Sequence, residues 1–441
     1  MEFITDDQTV HDLDLFGDDR QGPNVFSLFN RVASKGGELF LRKLVENPLS
    51  DRQILEDRIT ILQYLTRYPD FIEIDRERLK FIEIYLNIEE NRDVFSVPDQ
   101  ILKELKYLLK PDNELSICHR AVRMLSKLIF ELKRWAGDDD TDAIPAVVLR
   151  YKKAVRDLIQ QSGLLYVQEA DQLKMLTCAK LDFYFRKKEK SKVRELLDIV
   201  YSLDAFKAVA DTAVECGFVY PEFVDAESCI KIKGLFHPFL SAPVPNDFEL
   251  GSGKNMCFLT GPNMAGKSTY MKSVGVAVYL AHIGFPVPAK GMKLTVFKGL
   301  TMTINLSDNI RLGYSHYYSE VIRVKQVAEQ IGTLKNMVVI FDELFRGTNV
   351  KDAYEASLAV ISAFAGLDKS MFLISTHILE VAEHLENRNK IDFRFFEIES
   401  KGGVYTPTYC LKSGVSAERV GMYILNREKV VETIRKAGEK N

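Results

Sequence analysis

The octet Gly261-Pro262-Asn263-Met264-Ala265-Gly266-Lys267-Ser268 constrains this chain more than any other stretch. It fits the pattern G-x-x-x-x-G-K-[ST], it follows the apolar run Met256–Thr260, and an apolar-periodic segment begins at Ser268. Glycines let successive backbone N–H groups curl around phosphate oxygens, and a helix N-terminus adds partial positive charge. The pattern predicts a phosphate loop between a parallel strand and a helix, with residues Gly261 to Thr269 as the nucleotide-binding segment. Lys267 would reach the β- and γ-phosphates of ATP, and the Ser268 hydroxyl would ligate Mg²⁺. A sheet built around such a loop is largely parallel and covered on both faces. The flanking pattern agrees: short apolar runs at Cys257–Thr260, Met337–Phe341 and Met371–Ser375 alternate with helical periods at Ser268–Leu280, Ser319–Ile331 and Ala353–Phe364.

Parallel strands bring their C-terminal ends to one edge of the sheet, where ligands bind. The run Val338-Val-Ile-Phe delivers Asp342 and Glu343 to such an end, 75 residues beyond Lys267. Asp342 is placed to hold the Mg²⁺ shell and Glu343 to polarise an attacking water. Ser375-Thr376-His377 closes the next strand, so His377 is a candidate sensor of the γ-phosphate or a holder of that water. Ser315 opens the helical segment that follows Ser307–Tyr314. It reads either as a helix N-cap or as a hydroxyl offered to a nucleotide across a dimer interface, and spacing alone does not decide.

The first half has a different character. From residue 25 to about 217 apolar residues recur at three- and four-residue intervals, in runs that include Ile101–Leu109, Ala121–Leu132, Val147–Leu158, Lys192–Tyr201 and Ala205–Val214. Four prolines between 221 and 245 mark the change. The expected architecture is therefore multidomain: an all-α elongated domain over 1–217, then an α/β P-loop domain over 218–441.

Charge is uneven: −9 over residues 1–100, +5 over 101–200 and +1 over 201–441, for a net −3. A polyanion site must then be local. The densest run, Arg186, Lys187, Lys188, Lys190, Lys192 and Arg194 behind three aromatics, is the candidate DNA-backbone contact, against the plainer reading of a solvated helix face. Asp138–Asp142 lacks the glycine and terminal glutamate of a calcium loop and reads as a turn. Six widely spaced cysteines, no apolar run long enough for a bilayer and an acidic N-terminus predict a reduced, cytoplasmic protein without a membrane segment.

Thr260–Lys272, Gly284-Phe-Pro-Val-Pro-Ala289, Ser315 to Glu320, Asp342-Glu-Leu-Phe-Arg-Gly-Thr348 and Ser375-Thr-His377 come in the order found in the MutS DNA mismatch-repair ATPases. Over most of residues 230–425 the chain resembles that family. Leu13–Phe16, Asn47-Pro-Leu49 and Val219–Phe223 with His237-Pro238 extend a weaker likeness upstream. The resemblance implies a helical core and lever joined to an ABC-type ATPase that dimerises with two composite sites. It implies that Asn263 contacts the γ-phosphate region, that Ser315 acts on the partner's nucleotide, and that a dimeric clamp on duplex, mismatched or branched DNA is switched by Mg-ATP hydrolysis.

The departures are specific. The likeness starts at the family's core, so the expectation is a chain without the family's mismatch-reading and connector domains and with room only for a reduced clamp. Pro243 falls where an aromatic residue usually stacks on adenine, and Ala265 replaces a loop glycine. Leu344-Phe345 replaces Ile-Gly beside the acid pair, and His316-Tyr-Tyr318 replaces Thr-Phe-Met in the trans motif. The rival expectation is a nucleotide-gated protein scaffold that touches no DNA, favoured by the acidic first hundred residues.

Overall fold

The computed structural model describes residues 2–17, 22–69, 72–87, 113–137, 144–167, 175–251, 253–262, 264–304, 316–385, 388–401, 404–416, 427 and 429–438. The chain divides into two compact units. One is discontinuous, built from residues 1–28, 47–59 and 213–441; the other holds 29–46 and 60–212. A single cut at 217/218 therefore differs from these units at residues 1–28, 47–59 and 213–217. They pack with the sheets rather than with the helices.

In the first unit a six-stranded sheet runs in the order β10-β9-β4-β8-β7-β6. Its strands are β4 (Met256–Thr260), β6 (Gly299–Thr303), β7 (Met337–Phe341), β8 (Met371–Ser375), β9 (Ile391–Lys401) and β10 (Val404–Ser413). All pairings are parallel except the β9–β10 hairpin. β4, β6, β7 and β8 are buried along their whole length, as continuous apolar strands covered on both faces must be. A smaller sheet pairs β1 (Glu222–Phe223), β5 (Gly291–Leu294), β2 (Ile230–Leu235) and β3 (Asn246–Leu250) in that order. The helix Lys267–His282 is buried continuously from Ser273 to its end, so its lack of a polar face reflects a central position in this unit.

β6 is an edge strand, and an edge leaves backbone amides without a ladder partner. The N-terminal residues fill that role. The amides of Leu300, Met302 and Ile304 donate to the Ile4 carbonyl (3.0 Å), the Thr9 hydroxyl (2.9 Å) and the Asp12 carboxylate (2.7 Å). Arg323, buried on the helix His316–Leu334, reaches the Asp6 carboxylate (2.6 Å), the Thr303 hydroxyl (2.9 Å) and the Met302 carbonyl (3.1 Å). Asp6 also caps the helix Asp7–Asp12 through the Thr9 amide. Burial would raise the Asp6 pKa, but the Arg323 and Thr9 contacts outweigh it and hold the carboxyl below its ordinary value.

Every described element of the second unit is helical: Lys35–Glu46, Arg76–Leu86, Asn113–Gly137, Ala146–Gln160 and Met175–Phe183, the short turns Gly163–Tyr166 and Tyr184–Lys188, and parts of Arg52–Arg67 and Lys190–Cys216. The two periods read at Lys192–Tyr201 and Ala205–Val214 belong to one helix. The run Ile101–Leu109 and the acidic stretch 138–142 lie outside the described residues. The start of Lys35–Glu46 is held from far along the chain: the Ala33 and Ser34 amides and the Ser34 hydroxyl all donate to buried Asp204, at 3.0, 2.9 and 2.6 Å. All six cysteines are free thiols. No helix among the described residues is long and apolar enough to cross a membrane.

His282 shows how the first unit uses a buried titratable group. Its ring lies 4.3 Å from Phe3, its Nδ1 is 2.8 Å from the Val278 carbonyl, and its Nε2 accepts from the Phe297 amide at 2.9 Å. That acceptor role requires a neutral ring, and burial lowers its pKa from 6.5 to about 4. The unfolded chain therefore takes up the proton first as pH falls. Stability is intact above pH 6.5 and is lost between 6.5 and about 4, by roughly 3 kcal/mol. Urea midpoints measured from pH 7 to 4.5 will show this slope. His282→Gln, whose amide can both donate and accept, will reduce the slope without abolishing it, because half-buried His237 is also lowered to about 4.

Candidate nucleotide site

Register brings the predicted residues together. Leu259 pairs with Ser375 and Phe341 with Ile374, so β4, β8 and β7 end level, with β8 in the middle. The phosphate loop, His377 and the Asp342-Glu343 pair therefore share one edge of the sheet. Asn263 and Ser315 lie outside the described residues.

The loop turns between β4 and the helix through left-handed backbone at Gly261 (φ 136°), Met264 (φ 66°) and Gly266 (φ 103°). Gly266 also meets a close neighbour, since a Cβ there would stand 3.2 Å from the Tyr409 ring. Ala265 is buried, so its methyl points into the protein and leaves the loop's mouth open, while Met264 is 78% exposed. Lys267 is buried and folds back, its Nζ donating to the Gly261 carbonyl at 2.7 Å and the Pro262 carbonyl at 3.1 Å. Burial lowers its pKa, against the opposing charges of Glu343 and Asp342.

One carboxylate joins three elements. Asp342 accepts from the Ser268 hydroxyl on one oxygen and from the Ser375 hydroxyl on the other. Ser375 in turn accepts the Glu343 amide at 3.0 Å. A hydroxyl and a carboxylate meeting here form a hard, all-oxygen donor pair, which fits Mg²⁺, an ion that takes few protein ligands and fills its shell with water and phosphate.

Glu343 stands between a histidine and an arginine. Its Oε1 is 2.5 Å from His377 Nε2 and its Oε2 is 2.9 Å from Arg346 Nε. Burial pushes its pKa up, but the His377 hydrogen bond and the charges of His377, Arg346 and Lys267 outweigh that and leave it below the usual glutamate value. The carboxylate is thus ionised at neutral pH. Its backbone is left-handed (φ 56°), as is that of Phe345 (φ 62°).

A cavity of about 520 Å³ opens beside the loop. Lys267, Ser268, Thr269 and Glu343 line one part; Leu240, Pro243, Val244, Met264 and Tyr409 line an apolar part. Pro243 is thus present with an aromatic ring nearby, one that sequence reading missed. β10 shifts register between Pro407 and Leu411, and Tyr409 has φ 57°. Asn246 of β3 clamps this bulge, donating to the Tyr409 carbonyl at 2.9 Å and accepting the Leu411 amide at 2.8 Å. No residue type signals a left-handed tyrosine. His237 lines the same cavity. Its Nδ1 accepts the Phe239 amide at 3.4 Å, which leaves its proton on Nε2.

The basic run fares differently. Tyr184–Lys188 forms a π-helical turn, and Arg186 points inward. Its Nε and Nη2 lie 2.7 and 2.5 Å from the two Asp182 oxygens, and its guanidinium sits over the Tyr85 ring, whose hydroxyl donates to Asp182 at 2.6 Å. Arg186 is therefore not a surface cation, which corrects its place in the DNA patch. Lys187 and Lys188 are exposed and Lys190 is half-buried.

A family model described as MutS domain V matches residues 257–440. The DNA mismatch repair protein MutS of Anaplasma phagocytophilum is 32% identical over 230 residues, which are 52% of this chain and 28% of that protein. The MutS proteins of Bacillus licheniformis and Aquifex pyrophilus are 29% and 30% identical over 242 and 258 residues, covering 53% and 57% of this chain and 27% and 30% of their own. Each match thus spans under a third of the relative's length. With the phosphate loop, the acid pair and the strand-end histidine inside the matched region, this chain is, over its C-terminal region, a MutS-related protein.

Proposed function

We propose that the chain is an ATP-hydrolysing switch of the MutS type that acts on DNA as a dimer. The observation that carries this reading is the meeting of Lys267, the Ser268–Asp342 pair and the Glu343–His377 pair at the C-terminal edge of a parallel sheet, where Lys267, Ser268 and Glu343 line one cavity. The nucleotide's phosphates would lie on the amides of residues 264–269. Lys267 would exchange its two loop carbonyls for phosphate oxygens, and Tyr409 and Pro243 would flank the base. Ser268 and Asp342 would hold Mg²⁺, which supplies charge neutralisation to the phosphates when bound. Glu343 would accept a proton from the attacking water as its oxygen bonds to the γ-phosphorus and the bond to the bridging oxygen breaks. His377 and Arg346 would keep that carboxylate ionised and aimed. Most of the rate enhancement would come from positioning and electrostatics.

The composite-site role of Ser315, the homodimer, the lever action of the helical unit, cytoplasmic residence and the DNA target belong to the same proposal. They are supported by the likeness to MutS proteins rather than by a contact. The inward turn of Arg186 favours a second reading, a nucleotide-gated scaffold without DNA affinity, because it removes a cation from the candidate patch.

Steady-state ATP hydrolysis with duplex, mismatched and four-way-junction DNA separates the two. The switch reading expects turnover that depends on DNA and binding that weakens steeply with salt. Turnover indifferent to every DNA, with no binding at low salt, would leave the scaffold. In either case Glu343→Gln should lower kcat by about a hundredfold or more while nucleotide still binds. Lys267→Ala should weaken nucleotide binding by about tenfold or more, read by fluorescent-nucleotide titration.

A further inference from the structure

The turn that carries Glu343 contains two non-glycine residues in left-handed backbone, Glu343 and Phe345. Such backbone persists only where the surroundings over-determine it. The surroundings here are the first two turns of the helix His316–Leu334. The Glu320 side chain, only 11% exposed, accepts the Arg346 amide on one oxygen (3.2 Å) and the Gly347 amide on the other (3.4 Å). Gly347 lies directly against the helix: a Cβ there would stand 2.5 Å from the Tyr317 nitrogen and 2.9 Å from the His316 Cβ. The buried Phe345 ring packs 5.7 Å from that of Tyr317. Arg346, fixed at its amide by Glu320 and at its Nη2 by the Ile304 carbonyl (3.2 Å), presents its Nε to the Glu343 carboxylate at 2.9 Å.

We infer that Glu320 is a positioning residue for hydrolysis: by gripping two successive amides of the 343–347 turn it sets where the Glu343 carboxylate stands. The inference rests on the hydrolytic reading above. One helical turn further on, Arg323 anchors the same helix to Asp6 and Thr303, so Glu320 works from a fixed base. The grip needs both carboxylate oxygens. A glutamine keeps the shape but turns an N–H₂ toward one of the two amides, so one bond is replaced by two facing donors.

Glu320→Gln, Glu343→Gln and the parent protein are compared for ATP turnover, for ADP affinity by titration, and for amide exchange across residues 343–349 by mass spectrometry. Glu320→Gln is expected to lower kcat tenfold or more with KM and ADP affinity within twofold of the parent. Exchange over 343–349 should quicken while the helix Lys267–His282 exchanges as before. Unchanged kcat, or unchanged exchange in that segment, overturns the inference. So does a loss of ADP affinity and of protection throughout the first unit, which is a merely structural role. The two readings fail differently. If Glu343→Gln turns ATP over as fast as the parent, hydrolysis through Glu343 falls and this inference with it. If Glu343→Gln is inactive and Glu320→Gln is not slowed, only the role of Glu320 falls.

Discussion

The Asp342 carboxylate is the point on which the site depends. A buried carboxylate is costly unless its lone pairs are met, and here two hydroxyls from different elements meet them. Ser268 belongs to the helix after the phosphate loop, Ser375 to the end of β8, and Asp342 itself to the end of β7. The three can meet only if β4, β8 and β7 run parallel and end level. The chemistry is therefore a consequence of strand register: a slip by one residue would reverse the faces of β7 and send Asp342 away from Ser268.

What was legible in the sequence was local. The glycine spacing before Lys267 and the apolar strands that end at Asp342 and Ser375 each carry a pattern, and the rule that parallel strands share one binding edge assembles them. What was illegible needed either distance or an irregularity. Arg186 sits in a run that reads as a solvated helix face, but the wider π turn changes which side chain faces inward, and Asp182 and Tyr85 take it. Tyr409 reaches the cavity through a bulge that no residue type announces. Glu320 looks like one more helix-surface acid until the turn at 343–347 is set beside it.

The acidic N-terminus shows the same gap between composition and use. The strong negative balance of the first hundred residues invited a reading in terms of partners. Asp6, Asp12 and Asp14 instead serve internal contacts, with Arg323, the Ile304 amide and Lys272. Charge that looks like an address for another molecule is, for Asp6 and Asp12, part of how the sheet is closed and, for Asp14, a tie to the helix after the phosphate loop.

That closure bears on how the molecule is made. The bonds from Thr9 to Met302, Asp12 to Ile304 and Asp6 to Arg323 span 293, 292 and 317 residues. During synthesis the first helix leaves the ribosome long before β6 exists to receive it, and at roughly 5–20 residues per second the wait is on the order of tens of seconds. Residues 29–46 and 60–212 form their own unit in the interval, so the opening segment must stay unpaired while a helical domain is completed between it and its destination. The nucleotide unit is thus finished late. A nascent chain halted before residue 300 would hold Asp6, Thr9 and Asp12 without the partners they meet at Arg323, Met302 and Ile304.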